Sequence, residues 1–431
     1  MNDTTVPSRL PATPSDVATH VAKLFGQHME IGCRLAFDGK LDAAILSRAV
    51  RLSLDAEPVL GSALRTGTFR VWWERLPDLD ARLPFSVGPS AAPDREAAAY
   101  QTAAIDSAGP QVAVRLQQAE RGDEVIVSVN HDAADGQGVK QYAYLLASIY
   151  SRLLEDPTFT PRPHTLPRPS ASDVWDALSA QQKVAAGKTP KMTMPNWDIP
   201  SKAATGAGRT LRDLQIGPDR FREIKAYAAA RSASINAMTL TGFFRAVCRN
   251  FPPPAGRPMS LPFTVDHRRY LTDCGDLPVS NLAISLWLGV ARVEGEPFDA
   301  TLARIAEQLD AWRAAMWGAK SLMQATGLVK LGYAPMRLMM GAIGSASAKS
   351  GKTSPVFTNI GVLDADRLRF GGMVPVSARL SGPAAFGASL VPTISTYRDT
   401  LTVSMGFCES DIDAAVIEEV LRKMDEELAC C

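Results

Sequence analysis

The stretch VSVNHDAADGQGVKQY, residues 127–142, contains one of the five histidines of this 431-residue chain, at the point where two patterns meet. Over 124–130, side chains alternate between two faces as in a β-strand, and after Gly138 apolar residues recur at helical spacing. His131 is therefore predicted to lie in a strand-to-helix turn. Packed elements on both sides of such a turn hold the backbone while the side chain projects into a cleft.

A histidine in this position suits general base catalysis, because imidazole titrates near physiological pH. Asp135 follows four residues later and has two roles open to it: it contacts the imidazole directly, or it turns away and holds the loop through a salt bridge. Gly136 and Gly138 supply backbone freedom and leave room for a ligand. By itself, the spacing favours the plainer interpretation, an ordinary loop histidine beside an Asp-Gly turn.

Composition limits the classes of protein to consider. The chain is 46% hydrophobic and 21% charged with a net charge of +1, so it has ample material for a core and is long enough for two lobes. No run of Lys or Arg forms a basic stripe, which argues against nucleic-acid binding. The polar N-terminus lacks a secretory h-region, and the most apolar helical stretch, 321–345, is interrupted by Lys330, Arg337 and glycines. We expect no integral membrane segment, a cytoplasmic location and a monomer.

The cysteines support this location. None of the six forms a C-x-x-C pair or a metal-ligand spacing, so we expect a reducing compartment and no metal site; they are residues 33, 248, 274, 408, 430 and 431. The terminal pair, Cys430 and Cys431, does not fit the C-a-a-X pattern. It either carries a lipid or is an incidental end of the chain.

The order of elements predicts an α+β fold in two halves. The first half has strands over 28–39 and 124–130 with a helix over 41–56 between them. Proline-rich and aperiodic sequence then indicates a crossover linker with one short helix near 172–186. Later elements repeat the mixture, with helices over 218–231, 234–249, 298–315, 321–345 and 411–428 and strands over 259–267 and 375–407. We predict a lobe over 1–170, a linker over 171–210, a lobe over 211–431, and a site between the lobes.

The segment NHDAADGQG, followed by an apolar helix, resembles the H-x-x-x-D-G signature of the acyltransferase superfamily. This superfamily includes chloramphenicol acetyltransferase, nonribosomal peptide condensation domains, alcohol acetyltransferases, and mycobacterial polyketide-associated and plant acyltransferases. Further segments resemble those of condensation-like proteins in the same order, so the likeness covers nearly the whole chain: residues 41–65, 231–247, 263–271, 280–286 and 356–364. The D-F-G-W-G segment of the plant branch is absent.

The resemblance implies two chloramphenicol acetyltransferase-like lobes that form a pseudo-dimer, with the active site in a channel between them. It assigns the catalytic motif as His131, the general base, Asp135, which supports the loop, and Gly136, which lies beside the donor channel. The arginine that pairs with Asp135 is Arg268 or, less closely matched, Arg269.

Three more residues are candidate substrate contacts. Thr358 and Asn359 either stabilise an oxyanion or cap a strand end through local hydrogen bonds, and backbone N–H groups of the 135–138 turn are further oxyanion candidates. Condensation domains usually begin the motif with two histidines, whereas this chain has Asn130 in the first place. That difference favours the ester-forming branches.

The function implied is transfer of an acyl group from a thioester to a hydroxyl of a small metabolite or lipid. The donor is acyl-CoA or a phosphopantetheinyl acyl carrier, and no cofactor is held permanently. A free-standing condensation enzyme that forms amides and a non-catalytic binding protein remain alternatives. Two other features stay open: His267 is a second catalytic histidine or a core-edge residue, and the methionine-rich segment 333–344 lines a tunnel or fills core.

Overall fold

The computed structural model describes residues 5–24, 29–202, 206–271, 277–327, 329, 332–385, 387 and 389–429. Lys330, Cys274 and the pair Cys430 and Cys431 lie outside these ranges. The first half of the chain contains seven strands and four helices within the described ranges: β1 (Arg9–Pro11), α1 (Pro14–Lys23), β2 (Glu30–Ala36), α2 (Ala43–Ala56), β3 (Ser62–Thr66), β4 (Val71–Arg75), β5 (Phe85–Pro89), α3 (Pro93–Gln101), β6 (Val112–Gln118), β7 (Asp123–Asn130) and α4 (Gly136–Glu155).

The remainder continues the α+β alternation, which confirms the predicted fold class. Its elements are α5 (Ala171–Ala177), α6 (Ala180–Ala186), β8 (Arg209–Ile216), α7 (Pro218–Ala230), α8 (Ile235–Asn250), β9 (Pro258–Asp266), β10 (Ala283–Ala291), α9 (Phe298–Ala314), α10 (Ala319–Gly327), α11 (Tyr333–Ser350), β11 (Thr358–Leu363), β12 (Ser377–Ser381), β13 (Ala384–Ala385), β14 (Pro392–Tyr397), β15 (Thr400–Cys408) and α12 (Ala414–Ala429).

Each lobe has its own sheet and its own hydrophobic core. The first sheet has the order β12-β2-β7-β6-β5 and packs on α2 and α4. The second has the order β11-β14-β15-β13, with β8 also paired to β15, and its core includes α8 and α12. Because β12 comes from the second half of the chain but pairs with β2, the first sheet includes a strand from beyond the predicted division at residues 170 and 210.

The segment predicted as a linker contains two helices where one was expected. The chain is extended at Leu178, and Ser179 then starts a new helix by accepting a hydrogen bond from the backbone N–H of Gln182. Gln182 in turn accepts from the backbone N–H of Ser179, which completes a capping box. The capping box at Ser179 therefore splits the single helix predicted from apolar spacing into α5 and α6.

Helix α11 carries the methionine-rich segment on the outside of the molecule. Met336 is buried against Val17 and Val21 of α1, whereas Leu338 is 78% exposed. The helix thus contributes one buried methionine to a small peripheral cluster. Within the described ranges, none of the helices combines the length and apolarity needed to cross a bilayer.

Candidate active site

His131 directly follows β7 and is held by the sheet. Its backbone N–H donates to the carbonyl of Met29 at 2.8 Å, which continues the pairing of β7 with β2. The ring is half-buried, and its Nδ1 lies 3.2 Å from Oδ1 of Asn281, a residue of the second lobe just before β10. The imidazole therefore sits where the two lobes meet.

The contacts of Asn281 assign the proton on the imidazole. Its Nδ2 is surrounded by acceptors only: the carbonyls of His131 at 2.8 Å and Asp132 at 3.0 Å, and a carboxylate oxygen of Asp16 at 3.2 Å. The amide oxygen of Asn281 must therefore face His131 Nδ1 and accept a hydrogen bond from it. With the proton on Nδ1, the lone pair of Nε2 is left to accept a proton from a substrate.

Asp135 is buried, and its carboxylate is occupied by the second lobe and by its own helix. One oxygen accepts from the N–H of Gly138 at 2.9 Å and caps α4. The other accepts from Leu282 N at 2.7 Å, Ala283 N at 2.9 Å and Arg268 at 2.9 Å. Of the two roles that spacing leaves open, the structure places this residue in the one that holds the loop.

Charge and hydrogen bonding keep this buried carboxylate ionised. Burial by itself raises the pKa of Asp135, but Arg268 and the N–H donors outweigh burial, so that the pKa lies below its ordinary value. Arg268 is only 3% exposed and also donates to Asp266 at 2.9 Å and to the carbonyl of Ser280 at 2.7 Å. Its neighbour Arg269 is exposed and makes no contact with Asp135. The buried ion pair thus joins the His131–Gly136 motif of one lobe to the other lobe.

A cavity of about 430 Å³ lies between the lobes beside this motif. Asp135, Gly136 and Gln137 form its first-lobe side, and β9, β11 and Trp317 form the opposite side. His131 lies in the preceding turn, outside the cavity wall. A methyl group at Gly136 would approach Ile360 Cδ1 to 2.5 Å, so any side chain there would displace Ile360 of β11.

Thr358 and Asn359 both line this cavity, at the start of β11. The Asn359 amide nitrogen donates to Asn236 on α8 at 3.2 Å, and its oxygen accepts from Gly361 N at 2.9 Å. Asn359 therefore supports a bulge in β11, where the pairing with β14 shifts by one residue. The Thr358 hydroxyl has no hydrogen-bond partner among the described residues and is the more available donor.

The structure corrects the prediction that Asn130 is a substrate contact. Asn130 is fully buried, with its amide nitrogen 2.7 Å from the Gln111 side-chain oxygen. Its own oxygen accepts from Lys23 at 2.9 Å and from the N–H of Asp132 at 3.1 Å. The side chain is engaged within the first lobe, so it braces the turn from behind.

His267 is also buried and belongs to the framework. Its Nε2 donates to the carbonyl of Trp317 at 2.9 Å, and burial lowers its pKa to about 4. Such a ring stays neutral and is not free to exchange protons with a substrate. Burial likewise raises the pKa of the Cys33 and Cys248 thiols to about 12, which leaves them unreactive. Across the described ranges, no group of three His, Cys, Asp or Glu side chains is arranged to hold a metal ion.

Comparison with solved structures identifies the fold. No protein-family model and no curated protein matches the sequence. The first condensation domain of the calcium-dependent antibiotic synthetase, in complex with a substrate analogue, aligns with a TM-score of 0.69 and 19% identity over 98% of this chain and 97% of that one. The trichothecene 15-O-acetyltransferase TRI3 from Fusarium sporotrichioides aligns with a TM-score of 0.71 and 13% identity over 97% and 94%. This chain has the condensation-domain fold. Polyketide synthase associated protein 5 from Mycobacterium tuberculosis shares it, with a TM-score of 0.64 and 15% identity over 95% and 96%.

Within this condensation-domain fold, sequence reasoning missed two residues that shape the site. Asn281 was visible only as part of the strand-like segment SNLAISL, and nothing local indicates that its amide reaches His131. Lys140 was hidden in the apolar helix α4. It is buried and donates to the carbonyls of Ile360 at 3.2 Å and Val362 at 3.1 Å, which fixes β11 across the cavity.

Proposed function

We propose that this protein is an acyltransferase that moves an acyl group from a coenzyme A or carrier-protein thioester to a hydroxyl of a small metabolite or lipid. His131 serves as the general base. The observation that carries the proposal is the contact of His131 Nδ1 with Asn281, because it leaves Nε2 as a proton acceptor at the junction of the lobes. The fold shared with condensation domains and with an O-acetyltransferase supports acyl transfer as the reaction class.

In the proposed reaction, the acceptor hydroxyl loses its proton to His131 Nε2 as its oxygen attacks the thioester carbonyl carbon. A carbon–oxygen bond forms and the carbonyl electrons move onto oxygen. When this oxyanion collapses, the carbon–sulfur bond breaks and the departing thiolate takes the proton from the imidazolium. The sequence of steps needs no covalent enzyme intermediate.

The oxyanion requires hydrogen-bond donors, and the cavity wall offers two kinds. Gly136 and Gln137 are the first residues of α4, whose N–H groups have no partner within the helix and carry the positive end of its dipole. Thr358, of the second lobe, lines the same cavity and supplies a hydroxyl. We assign these groups as the preferred oxyanion donors and give Asn359 a supporting role, because its amide is already bonded to Asn236.

An ester product is favoured over an amide by the resemblance, because Asn130 stands where condensation domains usually carry a further histidine. The structure adds that Asn130 is buried and bonded within its lobe. His131 is then the one histidine of the motif, as in ester-forming relatives.

The test is a transfer assay with purified protein and a matrix of donors and acceptors. Acyl-CoA and acyl-carrier donors are each offered alcohols and amines, and mass spectrometry identifies the product while thiol release gives the rate. We expect ester formation with stoichiometric thiol release, lost in His131→Ala. Amide products alone would support the condensation alternative, and donor binding without transfer by the wild type would support a binding protein.

A further inference from the structure

The rim of the cavity between the lobes carries two arginines that stack on one indole. The guanidinium carbon of Arg269 lies 5.4 Å from the ring centre of Trp317, and that of Arg313 lies 5.6 Å from it. All three residues line the cavity, and both arginines are exposed. Two positive charges are thus held close together at an entrance that leads to Asp135, Gly136 and Gln137.

The backbone that places this indole is strained. Met316 and Trp317 have φ values of 51° and 46°, in the left-handed region that residues other than glycine rarely adopt. The buried His267 holds the turn by donating to the carbonyl of Trp317 at 2.9 Å. Strain of this kind persists where the surrounding structure enforces it, and it is concentrated at functional sites.

The nearby carboxylates of the described residues do not neutralise this rim. Asp135 and Asp266, which also line the cavity, are both bonded to the buried Arg268. Among the described residues, the hydrogen bond of Arg269 is to the backbone carbonyl of Asp266, at 3.0 Å. Arg313 pairs with Asp310 at 2.6 Å, but both side chains are about 60% exposed, and an ion pair in water is weak enough for a stronger anion to displace it.

We propose that Arg269 and Arg313, with Trp317 between them, form an anion subsite that binds a phosphate group of the thioester donor. Guanidinium groups match the geometry of phosphate oxygens through paired hydrogen bonds, and stacking on the indole orients both before binding. The shared chemistry is the phosphate that precedes the pantetheine arm, in coenzyme A or on a carrier protein. This inference rests on the proposed function for the identity of the donor.

The decisive experiment measures equilibrium binding of coenzyme A, 4′-phosphopantetheine and pantetheine to the full chain by calorimetry. The wild type should bind the two phosphorylated ligands more tightly than pantetheine. The double variant Arg269→Gln, Arg313→Gln should lose about tenfold or more of that preference, as expected for charge-assisted hydrogen bonds. Arg222→Gln, an exposed arginine on α7 outside the cavity, is the matched control and should keep the preference.

The three ligands also distinguish the phosphate shared by coenzyme A and a carrier protein from the nucleotide phosphates of coenzyme A. Equal affinity for phosphopantetheine and coenzyme A supports recognition of the single phosphate common to both donors. Preference for coenzyme A alone, lost in the double variant, supports a subsite for its nucleotide phosphates. No preference for phosphate in the wild type, or a preference that the double variant retains, overturns the proposal.

Binding is measured without turnover, so this outcome is independent of the proposed function. Arginine-dependent phosphate binding without acyl transfer to any acceptor would support the subsite and contradict the proposed reaction. Acyl transfer from acyl-CoA with the same KM in the wild type and the double variant would support the proposed reaction and contradict the subsite.

Discussion

Two strands of this protein, one in each lobe, end in a histidine. His131 follows β7 in the segment VNHDAADG, and His267 follows β9 in VDHRRYL. His131 is half-buried with Nδ1 on Asn281, whereas His267 is fully buried with Nε2 on the carbonyl of Trp317. A position at the end of a strand is therefore not enough to make a histidine a base. The proposed base, His131, is the histidine whose ring is not fully buried, whereas the second nitrogen of His267 is shut away from solvent.

The largest expected effect comes from removing the available imidazole. His131→Ala should lower the acyl-transfer rate by about 10² to 10⁴-fold, the range a positioned base contributes. Its melting temperature should stay near that of the wild type, because the ring is half-buried and makes one hydrogen bond. Steady-state rates and thermal unfolding on the same preparations measure both. Near-wild-type transfer by this variant would end the assignment of His131 as base.

The ion pair that joins the two histidine turns should dominate stability. Asp135→Ala leaves Arg268 buried without its main partner and also removes the cap of α4, so it should lower the free energy of unfolding by about 3 to 5 kcal/mol. Asp219→Ala, which breaks an exposed pair with Arg222, is the control and should change little. Denaturant titration gives both free energies of unfolding. Equal unfolding midpoints for Asp135→Ala and the wild type would contradict the buried pairing.

The same pair predicts a dependence on acid. The folded-state pKa of Asp135 lies below the ordinary value of 3.8, so its stabilisation is complete above that value and is lost as pH falls through the lower folded-state pKa. Denaturant unfolding measured from pH 5 downward should therefore show that the free energy of unfolding falls more steeply with decreasing pH in the wild type than in Asp135→Asn.

His267 should make stability depend on pH in a higher window. Its folded-state pKa of about 4 lies below the ordinary 6.5, so between these values the unfolded chain binds a proton that the folded chain does not. Stability should fall as pH drops from 6.5 to 4, by up to about 3 kcal/mol. His267→Gln should flatten this slope, while His131→Ala should keep it. An unchanged slope in His267→Gln would show that another group titrates.

The smallest expected effect tests whether Asn281 determines which ring nitrogen of His131 is free to accept a proton. Asn281→Ala removes the acceptor of His131 Nδ1 and should lower the transfer rate about tenfold, the value of one orienting hydrogen bond. A purely structural role would give the same loss, so Asn281→Asp is the discriminating variant. A carboxylate beside Nδ1 favours the imidazolium and should move the pH–rate profile to higher pH. A profile that does not move would make Asn281 a framework residue only.

Sequence patterns predicted much of this architecture because local signals are strong. The strand before His131, the helix after it and the closing helix all lie within a few residues of their predicted limits. The split of the linker at Ser179 and the insertion of β12 into the first sheet were not predicted. The first depends on a capping interaction weaker than the helical pattern around it, and the second on pairing between residues more than 340 positions apart.

For the site, the sequence by itself determined the motif: a histidine after a strand, an aspartate four residues later, and glycines that give the backbone freedom beside it. These depend on neighbours within a few residues, which hydrogen-bond and pack with the same local geometry in many folds. Only the tertiary structure decided that Arg268 and not Arg269 pairs with Asp135, that Asn281 holds His131, and that Asn130 and His267 are buried. Each of these outcomes depends on which side chains of the other elements come close and how much water they exclude. No spacing along one chain encodes that burial, because it arises from the packing of two lobes.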